Sequence, residues 1–157
     1  MVKNKSNTRL SSLVVPVILS RTDTTVGFLS QDDTKLYTIK SRHSTKPFIK
    51  IYVDFKTLKA HKHRVPNRFK NTIRRAKKTT FIVKNRAFRI AQPTLNSQVL
   101  RNIDWHYSTS ANESGKTFNR EFCEKKADII IEDKYMLSEA TASEIIKVNK
   151  LKKRRLR

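Results

Sequence analysis

Short apolar runs bounded by polar or basic turns, alternating with short amphipathic segments, constrain this chain more than any other feature. Leu13 to Leu19 reads as a strand whose Pro16 places it at an edge or in an irregular stretch. Phe48 to Val53, Trp105 to Thr109 and Ile129 to Ile131 read as further strands, and Ser143 to Val148 as the one that closes the sheet. Thr79 to Val83 and Arg86 to Ala91 form two strands around a tight connection at Lys84-Asn85. Between them lie helical patterns. Asp32 or Asp33 caps one that carries Leu36, Tyr37 and Ile39, and Thr94 caps another with Leu95, Val99, Leu100 and Ile103. Asn119 to Lys125 forms a third, and Phe69, Ile73 and Ala76 keep helical spacing after Pro66 in a fourth. Strands alternating with helices predict an α/β fold, a single-domain twisted open sandwich, and the adjacent strands near residue 85 make its sheet mixed parallel and antiparallel.

A chain of 157 residues with 37% hydrophobic content buries one core. The predicted organisation is a polar extension over residues 1–12, a domain over 13–149 and a basic tail over 150–157. Against 35 Lys and Arg stand 13 Asp and Glu, a formal charge of +22 that attracts polyanions at long range. Nucleic acid is the expected partner. Nine Lys or Arg and no acid lie between Lys59 and Lys78. From this segment Arg64, Arg68, Arg74, Arg75, Lys77 and Lys78 are the nucleic-acid-binding candidates. No uninterrupted apolar run approaches the roughly 18 residues of a membrane span, so no membrane partner is expected. The polar start of the chain lacks the apolar stretch of a secretory signal, and Cys123 is the sole cysteine, which together predict a cytoplasmic location. Cys123 is assigned no role. His61 and His63, an i, i+2 pair with no further ligand, read as a cationic surface feature, and no protein-held metal is expected.

Both of the chain's glycines close polar loops. Gly27 ends the turn from Ser20, and Gly115 ends the stretch from Trp105, where Ser108, Thr109, Ser110 and Asn112 offer many donors and acceptors. Two isolated glycines make neither a Walker loop nor a dinucleotide fingerprint, so a phosphate site has to be built from side chains. Lys40 and Arg42 at a helix end supply a point charge and a fork for one anion, although a solvated helix end carries the same pair. Taken alone, Ser108 to Ser110 also fit one face of an exposed edge strand, and Thr22 to Thr24 a turn cap. Asp104 and Glu113 read as solvated or capping residues.

In chain order, Thr22-Asp23-Thr24 with Gly27, Lys40-Ser41-Arg42 with Lys46-Pro47, Arg89, Ser108-Thr109-Ser110-Ala111-Asn112 with Ser114-Gly115, and Ser143-Glu144-Ile145 resemble the YrdC-like threonylcarbamoyl-AMP synthases. The chain departs from that pattern at Arg21, Val26 and His43, and in shortened loops. The resemblance implies a twisted sandwich with a basic concave face. It implies that ATP, L-threonine and bicarbonate are converted to threonylcarbamoyl-AMP and pyrophosphate, with Mg2+ arriving on ATP and the product passing to downstream tRNA-modification proteins. By similarity Lys40 and Arg42 neutralise phosphates and the carbamate, Ser110 and Asn112 orient the nucleotide phosphates, and Thr22 contacts threonine. Lys46, Arg89, Ser108 and Ser143 match further substrate-binding positions. The alternative is a non-catalytic RNA-binding relative with a degenerate pocket.

Overall fold

A computed structural model describes residues 2–4, 15–41, 47–91, 100, 102–132, 137 and 141–157. Among them the strands form one sheet. In chain order they are β1 (Val2–Asn4), β2 (Ile18–Arg21), β3 (Val26–Ser30), β4 (Ile49–Tyr52), β5 (Thr79–Val83), β6 (Arg86–Ile90), β7 (Trp105–Ser110), β8 (Ile129–Ile131), β9 (Glu144–Val148) and β10 (Lys153–Arg155). Their spatial order is β1-β8-β2-β3-β7-β4-β6-β5-β9-β10. The pairs β2–β8, β4–β6 and β5–β9 are parallel and the others antiparallel, so the sheet is mixed, as the sequence predicts. The β5–β6 turn works without glycine because Lys84 and Asn85 both take left-handed φ values, 49° and 61°, as a two-residue hairpin loop demands.

Helices α1 (Asp33–Lys40), α2 (Phe55–Ala60), α3 (Lys70–Arg75) and α4 (Arg120–Lys126) pack on one face. Asp32, Asp54 and Asn119 cap α1, α2 and α4 by accepting from Thr34, Thr57 and Phe122 amides. Two core clusters lie beneath them. One joins Leu19, Phe28, Leu36 and Cys123. The other joins Tyr52, Leu58, Ile73, Phe81 and Phe88. Phe28, Leu36, Leu58, Ile73 and Phe88 are fully buried. At full burial each such side chain contributes about 1.5–3 kcal/mol. On the opposite face, among the described residues, Leu100 and Ile103 pack on Ile18, Leu29 and Ile131 at one end.

Strand β3 is absent from the sequence reading, which has a turn closing at Gly27, and four boundaries also differ. β2 starts at Ile18 and not at Leu13, because Pro16 has no N–H and the Val17 amide is taken by Asp128 Oδ2 at 2.8 Å. Residues 2–4 of the expected polar extension form β1 against β8. The basic helix after Pro66 is only a 3₁₀ turn, Asn67–Phe69, followed by α3, which ends where Ala76 turns extended. Phe69 and Ile73 are buried as expected. The sheet does not close at β9: residues of the expected basic tail form β10, with Arg154 opposite Lys147. Three consecutive exposed cations along an edge strand leave the ladder intact because their heads stand in water. Thr94, Leu95 and Val99 lie outside the described residues.

Candidate active site

Register puts the polar candidates on the face away from the helices. Gly27 pairs with Ser110 and Leu29 with Ser108, while Ile51 pairs with both His106 and Arg89, so these residues share one side of the sheet. Gly27 is required there. A Cβ on it would stand 3.1 Å from the Thr109 carbonyl oxygen, 3.4 Å from the Thr22 methyl and 3.5 Å from Ser108 Oγ. The missing side chain lets the β2–β3 loop fold back over the sheet and brings Thr22 and Ser108 together.

The loop holds itself in shape through Thr22. Its hydroxyl donates to the Thr25 carbonyl at 2.7 Å and accepts from the amides of Thr24 and Thr25. The hydroxyl is therefore the turn cap that the residue type suggests, and it leaves the Thr22 methyl facing the cleft over Gly27.

Arg89, on β6, anchors the same loop from across the sheet. Its Nη1 donates to Asp23 Oδ1 and to Thr24 Oγ1, both at 2.9 Å, and its Nη2 donates to Thr80 Oγ1 at 3.2 Å. Thr80 Oγ1 lies 3.0 Å from Ser143 Oγ. Arg89 is 5% exposed, and a charge so buried has to be paired. Asp23 supplies the pair with one oxygen only: Oδ2 is buried and has no partner among the described residues. A buried carboxylate oxygen without a donor is poised for a donor from a bound molecule.

The serine-rich loop after β7 is held from the helix side by Lys40 at the end of α1. Lys40 is 4% exposed. Its Nζ donates to the carbonyls of Ser110 at 3.1 Å and Asn112 at 2.6 Å, and to Asn112 Oδ1 at 2.6 Å. Ser110 Oγ donates to the same Asn112 Oδ1 at 2.7 Å, and Asn112 Nδ2 donates to the Lys116 carbonyl. Gly115, at φ 79°, allows the reversal. A buried ammonium therefore sits directly under a loop whose Ser110 is exposed. Cys123, behind the loop, donates its thiol to the Ala111 carbonyl, and burial raises its pKa.

The sequence profile of the Sua5/YciO/YrdC family, described as telomere recombination, matches residues 16–157. The chain belongs to the Sua5/YciO/YrdC family. No curated protein sequence matches it. Its fold is similar to a double variant of P. abyssi Sua5, at TM-score 0.76 and 17% identity over 90% of this chain and 52% of that one. It is likewise similar to P. abyssi Sua5 complexed with L-threonine, at TM-score 0.73 and 16% identity over 90% and 50%. E. coli YciO aligns at TM-score 0.70 and 16% identity over 91% of this chain and 82% of that one. At such identities the likeness is one of fold. The chain spans about half the length of the Sua5 chains it matches.

Within this family fold, Thr22, Arg89, Ser108 and Ser143 converge on the face away from the helices, with Lys40, Ser110 and Asn112 at its rim. Arg42 and Lys46 lie outside the described residues. Asp23 and Thr80 complete the network, and sequence reading gave neither a role. The signal for Asp23 was available, because a strand arginine that faces the sheet needs a carboxylate. Nothing local marked Thr80, whose position follows from the β5–β6 register. His106, on the same side as Ser108, is a third residue that sequence reading passed over. Burial lowers its pKa to about 4, and its Nδ1 has no partner among the described residues.

The six nucleic-acid candidates separate. Arg64 and Arg68 line one groove, Arg75 lines a different depression beside Glu144, and the Arg74 guanidinium stacks on Phe55 at 4.8 Å. Lys77 and Lys78 are exposed just before β5. Among the described residues no cluster of three His, Cys, Asp or Glu could hold a metal ion, and no helix is long and apolar enough to cross a membrane.

Proposed function

We propose that this chain makes threonylcarbamoyl-AMP and pyrophosphate from ATP, L-threonine and bicarbonate, for modification of adenosine in tRNA. The observation that carries this reading is the convergence of Thr22 and Ser108 over Gly27, backed by the Asp23–Arg89 pair and edged by the Lys40-held loop. Family membership supports it, as does the P. abyssi Sua5 structure that holds L-threonine in the same fold. In this reading the Thr22 methyl and the unpartnered Asp23 Oδ2 face the amino acid, one as an apolar contact and one as an acceptor for its hydroxyl or nitrogen.

The chemistry asks for two anions to be brought together. Threonine nitrogen adds to bicarbonate carbon and water leaves, giving a carbamate. A carbamate oxygen then attacks the α-phosphorus of ATP, forming a P–O bond as the bond to pyrophosphate breaks. The nucleophile is already a carboxylate, so no general base is needed. What the step needs is fixed positive charge and preorganised donors. Lys40 supplies charge beneath the Ser110–Asn112 loop and also fixes its shape, while Ser110 Oγ faces the nucleotide. Arg42 and Lys46 add cations, and Mg2+ accompanies ATP as part of the substrate.

The test is pyrophosphate release from ATP. Release that depends on both threonine and bicarbonate, and falls at least about 100-fold in Lys40→Ala and Asn112→Ala with the fold intact, is the expected result. Undiminished release in both variants would refute the site.

A further inference from the structure

On the helix-bearing face, away from the Arg89–Ser108 site, a groove of about 860 Å³ runs between the segment after α2, the β5–β6 turn and Lys150. Seven of its lining residues are Lys or Arg, among them Lys62, Arg64, Arg68, Lys84 and Lys150, and none is Asp or Glu. None of the seven pairs with a carboxylate among the described residues. Lys62 and Lys84 hold left-handed φ values, 54° and 49°, where a lysine costs more than a glycine or asparagine. So many unpaired cations around one concavity repel one another unless a polyanion lies between them.

Two aromatic rings, Phe55 and His63, line the groove, and a run of rings leads out of it from His63. His63 lines the groove and stacks on Phe88 at 4.3 Å. Burial first, then the nearby Arg86 and Lys50, lowers its pKa to about 4, so it is a neutral ring at physiological pH. From His63 the rings continue through Tyr52 at 6.1 Å, His61 at 5.6 Å, Trp105 at 5.9 Å and Tyr107 at 5.4 Å. Lys50 Nζ stands 3.5 Å over the Trp105 ring. Trp105 and Tyr107 are half-buried, packed against the cores, and His61 is exposed, so each residue keeps some surface in solvent.

We propose that this groove binds single-stranded RNA, its cations holding the phosphodiester backbone while unstacked bases pack on the His61–Trp105–Tyr107 run. A backbone of regularly spaced phosphates satisfies a row of point charges, and every base has a π-face for the rings. A duplex satisfies only the first of these. The groove and the Arg89–Ser108 site lie on opposite faces, so this inference stands independently of the proposed synthase activity.

Trp105 is the chain's only tryptophan, which makes its emission a direct reporter. The experiment titrates the full chain with an unstructured RNA of about a dozen nucleotides, and with a duplex RNA of the same length, while following Trp105 fluorescence and anisotropy. The single strand is expected to quench Trp105, and the duplex is not. In Arg64→Ser/Lys84→Ser, single-strand affinity should fall about tenfold or more and the log–log salt slope should flatten by about 1.4, from about 0.7 per lost phosphate contact. His61→Ala should reduce the quench and weaken binding about fivefold or more. All three substituted residues are exposed, and an unchanged melting curve verifies the fold. Pyrophosphate release should be untouched in these variants. Absence of quenching by the single strand, equal quenching by the duplex, or unaltered affinity in the double variant would overturn the proposal.

Discussion

Arg89 and Asp23 carry the largest local risk in the molecule. Both side chains are about nine-tenths buried and lie 2.9 Å apart, so removing one partner leaves an uncompensated charge. Arg89→Ala should cost about 3–5 kcal/mol in chemical denaturation, whereas replacing both by apolar residues should recover most of that loss. A double-mutant cycle measures the difference. Gly27→Ala tests a steric point instead: its Cβ would press on the Thr109 carbonyl oxygen and the Thr22 methyl. The threonine concentration needed for half-maximal pyrophosphate release should rise about tenfold or more, because a displacement of the contact group costs binding directly. His106 gives a pH signature. Its folded pKa of about 4 lies below the ordinary value of 6.5, so the unfolded chain binds more protons between these values. Its contribution is complete above about pH 6.5 and is lost as pH falls toward 4, a change of about 3 kcal/mol in total. Urea midpoints measured from pH 4 to 7 should show this slope, and His106→Leu should flatten it. At this scale Thr22, Ser108, Ser143 and Arg89 came from the family resemblance, and the fold brings them to one face. Asp23 and Thr80 were not given roles because their partners are set by register across five strands.

Among the elements, β10 changes what the basic residues after Val148 do. Lys153–Arg155 pair with β9, the Ile145 and Leu156 backbones bond across that edge, and Arg157 Nε donates to the Ser143 carbonyl at 3.1 Å. Ser143 touches Thr80, which touches Arg89. Removal of residues 153–157 should therefore lower the melting temperature by several degrees, as about 1 kcal/mol does in a domain of this size, and should reduce pyrophosphate release. A separable tail would leave both unchanged, which a calorimetric scan and a turnover assay distinguish. The strands and helices with strong apolar periodicity were readable within a few residues. α2 was not, since its two buried residues, Phe55 and Leu58, make a single turn inside a basic stretch. β10 was hidden by composition: Lys-Arg-Arg carries no strand signal, and only the open edge of β9 recruits it.

For the whole molecule, the sheet separates two chemistries. One face gathers Thr22, Asp23, Arg89, Ser108 and Ser143, and the other carries the helices and an acid-free groove lined by seven cations. The mixed sheet followed from the alternation of elements, and the candidate site followed from the motif order that carries the family resemblance. Sequence reading named Arg64 and Arg68 of the second surface but did not join them to its rings: His61, His63, Tyr52 and Trp105 are scattered along the chain and meet only through the β4–β7 pairing and the turn after α2. The formal charge of +22 gave the sign of the partner, and the acid-free segment from Lys59 to Lys78 gave part of its place. The most direct test of the central claim is pyrophosphate release from ATP with threonine and bicarbonate added singly and together. The account predicts release only with both present and at least about a 100-fold loss in Asn112→Ala. Release that ignores threonine, or survives that substitution, would contradict it.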